Sequence, residues 1–104
     1  METEIFVGDK KISIKACAST AIRYQQVYGE HIDKEMFHAV GSGKENVFNG
    51  GIYENAGKLL YIMAWHCNPQ DMKLDRDAAI DWLDSVGSLS ADNVKDIVSL
   101  FFRK

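Results

Sequence analysis

Two periodicities divide the chain. Over residues 2–15, ETEIFVGDKKISIK, apolar and polar side chains alternate about Gly8-Asp9, whereas from residue 19 onward apolar positions recur at helical intervals. Gly8-Asp9 suits a two-residue type II′ hairpin turn, which takes glycine first. With that turn Ile5 faces Ile12 and Thr3 faces Ile14, so Ile5, Val7, Ile12 and Ile14 share one side of the hairpin. A lone hairpin is marginal in water, so this face must lie on helices or on another chain's strands. Helices of the same chain are the expected cover.

The remainder predicts helices separated by caps. Ser19 is placed to cap a helix that runs to Tyr28 and stops at Gly29. Asp33 is placed to cap a short helix to Val40, with Ile32 stapled onto Phe37. Residues 41–51, GSGKENVFNGG, hold four glycines without apolar periodicity and predict a flexible loop. From Ile52, the positions Ala56, Leu59, Leu60, Met63 and Cys67 recur at helical spacing, while Tyr61, Ile62, Ala64 and Trp65 fill the other faces; such a helix belongs in the interior, Trp65 included. Asn68-Pro69 ends it, because the residue before proline is pushed out of the helical region. Asp75 caps the next helix, with a stripe of Ala79, Trp82, Leu83 and Val86 closed by Gly87. Ser90 caps the last one, whose stripe is Val94, Ile97, Val98 and Phe101, with Arg103 and Lys104 at the end that favours cations. The expectation is a mainly α (α+β) single domain over 1–104. A hairpin at 2–15 precedes a bundle of about five helices at 19–103.

Composition narrows the function classes. With 46% hydrophobic residues, 104 residues are enough for one packed core. A net charge of −3 creates no positive field for phosphate backbones or anionic lipid, so nucleic acid and membrane are not expected partners. The apolar run Leu59 to Trp65 is far shorter than a bilayer span. The two cysteines, Cys17 and Cys67, are widely separated, and METEIFVGD has no apolar signal core. A reducing cytoplasm is the expected compartment.

No motif speaks for catalysis. Gly41-Ser42-Gly43-Lys44 resembles a phosphate-binding loop, but His38 and Glu45 stand where that motif needs glycine and a hydroxyl residue. His31, His38, His66, Cys17 and Cys67 lack the spacing that gathers metal ligands on one element, although a Cys–His nucleophile pair brought together by folding is not excluded by separation. Asp77, Asp81 and Asp84 share a helix face and read as a solvated surface. No catalytic, cofactor or metal residue is therefore assigned. Leu100 and Phe102 flank the last helix's stripe on opposite sides, and burying both needs an unusually wide contact; they are the candidate partner-binding residues.

Three stretches carry a resemblance. The first is IFVGDKKISIK running into Ser19-Thr20-Ala21-Ile22-Arg23-Tyr24 and Val27-Tyr28-Gly29-Glu30-His31-Ile32; the second is Leu59 to Trp65; the third is Ala79-Ile80-Asp81-Trp82-Leu83 with the apolar helix after it. Their order and character resemble the tail assembly chaperones of long-tailed, siphovirus-type phages and prophages of Gram-positive bacteria. Glu30-His31 departs from the basic-acidic pair common there, and the 41–51 loop is long. The resemblance implies a non-catalytic protein of the host cytoplasm, absent from the mature virion. It would bind and solubilise the tape measure protein and help recruit the tail tube protein, acting in several copies. The free strand edge of the hairpin independently favours a homo-oligomer. The alternative is a small helical regulatory protein of phage or bacterial origin, which would need a basic recognition surface; the helix pair at 75–103 is acidic at its start.

Overall fold

The computed structural model describes residues 2–32 and 50–102. Strands β1 (Glu2–Val7) and β2 (Lys10–Lys15) are followed by α1 (Thr20–Tyr28), α2 (Gly50–Cys67), α3 (Arg76–Val86) and α4 (Ala91–Phe102). The mainly α, α+β expectation holds, with four helices among the described residues. The short helix expected at Asp33–Val40, and residues 41–49 of the expected loop, lie outside them.

The hairpin forms as its alternation dictates. Its register pairs Ile5 with Ile12 and Thr3 with Ile14. Gly8 has φ +64° and no non-glycine residue among the described ones has positive φ, the signature of a type II′ turn at Gly8-Asp9. Ile5, Val7, Ile12 and Ile14 are all buried. The cover is helical: β2 lies on α2 and β1 on α4.

Helix α2 is the centre. Ile52, Ala56, Leu59, Leu60, Tyr61, Ile62, Met63 and Ala64 are buried on every side of it, because the hairpin, α1, α3 and α4 surround it. Two expectations about this helix are corrected. Gly50 and Gly51 belong to α2 rather than to the loop before it. Glycine costs only about 1 kcal/mol in a helix, and docking of the long apolar face outweighs that. Trp65 is half-buried, not interior, because α2 emerges from the surrounding layer in its last turn, where Trp65, His66 and Cys67 all keep contact with solvent.

The remaining caps follow the sequence, with one exception. Gly29 is left-handed at φ +74° and its N–H closes α1 on the Gln25 carbonyl. The Asp75 side chain accepts the Ala78 N–H, and the Gly87 N–H donates to the Leu83 carbonyl. Ser19 occupies the capping position of α1, yet its hydroxyl makes no capping bond. At α4, Ser90 Oγ accepts from the Asn93 N–H while Asn93 Oδ1 accepts from the Ser90 N–H, a reciprocal capping box.

Asn93 also decides how α4 is rotated. Its Nδ2 donates to the Phe6 carbonyl at 2.8 Å, tying the first turn of α4 to β1. The buried face becomes Asn93, Val94, Ile97 and Leu100, while Val98 and Phe101 of the expected stripe are only partly buried. On α3, similarly, Ala79 and Val86 are buried, but Trp82 and Leu83 keep some exposure.

Asn93→Ala removes the hydrogen-bond partners of Ser90 N–H and the Phe6 carbonyl together, so it should lower unfolding free energy by about 1–3 kcal/mol in denaturant titration. Trp65→Ala should cost less than the ~3–5 kcal/mol of a fully buried tryptophan.

Candidate functional site

Three surface features bring chemistry-bearing residues together. The first is a groove between α2 and α3, closed at one end by the α3–α4 turn, with a volume of about 550 Å³. Tyr53 and Gly57 of α2 form one side; Ile80 and Leu83 of α3, with Leu89, form the other. A Cβ on Gly57 would meet the Leu83 methyls at 3.5 Å, an ordinary contact, so the absent side chain deepens the floor without being required by the fold. Glu54 and Lys58 stand at the rim. Ile80 is 51% exposed, and Asp77, Asp81 and Asp84 are exposed on the same helix. An apolar wall on a helix that also carries exposed carboxylates suits a partner that is apolar on one side and basic beside it.

Lys58 is held from behind. Its ammonium pairs with Glu30 at 3.0 Å and lies 5.1 Å from the ring centre of Tyr28 and 5.9 Å from that of Tyr24. Tyr28 donates to the Lys58 carbonyl at 3.1 Å, and Arg76 donates to the Tyr28 carbonyl at 3.0 Å. Burial pushes the Tyr24 and Tyr28 phenols well above their ordinary range, Tyr24 further through the Glu30 charge and Tyr28 through Tyr61. Both stay protonated and act as donors. This seam locks α1, α2 and α3 together behind the groove.

The second feature joins two residues that the sequence keeps 49 positions apart. Cys17 Sγ lies 3.5 Å from His66 Nε2 and 3.6 Å from Nδ1, and Thr20 Oγ1 lies 2.9 Å from His66 Nε2. Thr20 Oγ1 also accepts the Cys17 N–H at 2.9 Å. Partial burial opposes ionisation of Cys17, but hydrogen bonds from Ser19 and Thr20 and the charge of Lys15 outweigh it, holding the thiol below its ordinary value. Burial, then Lys15 and Arg23, hold His66 below its ordinary value, so the ring is neutral near pH 7. The sulfur is nearly equidistant from both ring nitrogens and within hydrogen-bond reach of each. Exposed at the surface, Cys17 is the thiol that ionises more readily of the two. Cys67 goes the other way, raised by burial and by Glu2.

The third feature is a cleft of about 300 Å³ between β1 and α4, where Leu100 lies among Glu4, Asp96 and Ser99. Leu100 is only 5% exposed, and Phe102 is half-buried with its ring edge-on to Phe101. The expectation of a freely exposed patch at Leu100 and Phe102 is therefore corrected for Leu100: the hairpin and α2 both cover α4, a wider contact than one helix seam. Among the described residues no three His, Cys, Asp or Glu side chains are grouped to hold a metal ion, and no helix is long and apolar enough to cross a membrane. No protein-family model, curated protein or solved structure matches the chain.

At neutral pH Cys17 should react with a maleimide faster than Cys67, with a pH midpoint below that of an ordinary thiol, as mass-resolved alkylation rates will show. His66 binds its proton more weakly folded than unfolded. Its contribution to stability is complete above about pH 6.5 and is lost as pH falls through that value toward the folded pKa. Denaturation midpoints should drop over this range, and His66→Asn should flatten the drop.

Proposed function

We propose that the protein is a non-catalytic binding module that acts as a tail assembly chaperone, holding an apolar helical segment of the tape measure protein in the α2–α3 groove. The observation that carries this reading is the groove itself, an open apolar trough lined by Glu54 and by the exposed Ile80, on a helix whose Asp77, Asp81 and Asp84 are exposed. An amphipathic helix lays apolar side chains into such a trough and sets its basic residues against the rim. The particular partner comes from the sequence resemblance, as do the host-cell cytoplasmic location and the recruitment of tail tube protein.

A long helical partner presents many similar segments. Modest affinity at each is sufficient when many copies bind along one chain. Self-association of the bound copies adds to that avidity, so the homo-oligomer belongs to the same reading.

Co-expression with a tape measure fragment tests it. The fragment should stay soluble and co-purify with the wild-type protein, less so at high salt. Ile80→Glu should abolish retention while shifting stability by no more than about 0.5 kcal/mol, because Ile80 is at the surface. Gly57→Ala should raise helix stability, by up to about 1 kcal/mol, yet weaken retention by filling the floor. Retention unchanged in both variants would reject the groove, and failure of the wild type to retain any fragment would reject the function.

A further inference from the structure

The hairpin leaves two strand edges of opposite character. In a two-residue hairpin the pair flanking the turn, Val7 and Lys10, exchanges both backbone bonds, and bonded and non-bonded pairs alternate from there. Thr3, Ile5 and Val7 therefore direct their backbone groups toward β2. Glu2, Glu4 and Phe6 direct theirs to the outer edge of β1. The Asn93 bond to the Phe6 carbonyl confirms which side is outer, and it takes the edge acceptor nearest the turn.

At Glu2 and Glu4 the edge opens instead into the β1–α4 cleft, walled by Asp96 and Ser99 and floored by Leu100. Three acidic residues, Glu2, Glu4 and Asp96, line the cleft into which the outer backbone groups of Glu2 and Glu4 face. By the same alternation β2 turns the backbone of Lys11, Ser13 and Lys15 to its own outer edge, with Lys11 and Lys15 exposed. The existing Lys11–Glu4 contact, 3.8 Å with both side chains more than half exposed, is weak and exchangeable.

We propose that the β1–α4 cleft receives the β2 edge of a second copy of this chain, adding a strand antiparallel to β1. Like edges repel, acid against acid and lysine against lysine, so a two-fold pairing of β1 with β1 or β2 with β2 is disfavoured. Pairing β1 with β2 sets lysines against carboxylates and leaves a free β1 edge on one copy and a free β2 edge on the other. The contact is head-to-tail and propagates along a row of copies. It also extends the solvent face that carries Phe6, 60% exposed, with side chains of the neighbouring strand. This deepens the self-association part of the proposed function and uses a face other than the α2–α3 groove.

Charge reversal in two variants tests the contact by analytical ultracentrifugation. Glu4→Lys with Asp96→Lys makes both edges basic; Lys11→Glu with Lys15→Glu makes both acidic. The wild type should associate with rising concentration and less at high salt. Each variant alone should associate about tenfold more weakly or worse. An equimolar mixture should regain association, because each variant's reversed edge meets its complement in the other. A wild type that stays monomeric at high micromolar concentration, variants that associate as it does, or a mixture no better than its components would each overturn the proposal.

Should a variant fail to fold, amide exchange in the wild type decides: protection at Glu2 and Glu4 should rise with protein concentration, and concentration-independent protection rejects the contact. Tape measure retention measured on the same variants separates the two readings, since loss of association with retained binding leaves the groove intact.

Discussion

Helix α2 has no polar side long enough to face water, and burying it on every side is the constraint from which the rest of the architecture follows. Leu59, Leu60, Tyr61, Ile62, Met63 and Ala64 are consecutive and all buried, so their directions around the axis demand cover from all of them. One neighbouring helix covers only a stripe. The hairpin, α1, α3 and α4 each supply one wall. The hairpin is stabilised in the same act, since its four buried aliphatic residues need a helical surface that no two-stranded sheet provides for itself.

Apolar burial by itself leaves helices free to slide and rotate, and a few polar contacts remove that freedom. Asn93 closes the cap of α4 and holds the Phe6 carbonyl, setting the helix's rotation relative to β1. Lys10 reaches from the hairpin turn to the Ser85 carbonyl at 2.7 Å, at the C-terminal end of α3, where a cation meets the negative end of the helix dipole. Tyr28, Lys58 and Arg76 do the corresponding work among α1, α2 and α3. These contacts sit at the margins of the core, where partial exposure lowers the desolvation cost of charged groups.

The same packing shapes the surface available for binding. Because α3 meets α2 through Trp82 on Tyr61 and Leu83 at Gly57, Ile80 is left exposed beside a glycine on α2, and a trough remains between the helices. Because α4 lies beside β1, the acidic edge of the hairpin becomes one wall of a cleft. A binding surface on a domain this small is what remains after the central helix has been enclosed.

The hairpin register, the type II′ turn, the ends of α1 and α3, the Ser90 cap and the buried character of α2 were legible in the sequence, since each depends on residues within a few positions of one another. Local chemistry also revealed why Asn68-Pro69 ends α2. Which side of α4 is buried was not legible, because an asparagine reads as polar until a carbonyl 87 positions away accepts its proton. Leu100 moved inward for the same reason, and Trp65 moved outward because the extent of the layer around α2 depends on how far four other elements reach. Cys17 and His66 were noticed as residue types, yet their approach is decided by how α1 docks on the last turn of α2. The groove leaves almost no trace in sequence, since it depends on the separation of two helices, and only the packed structure sets that distance.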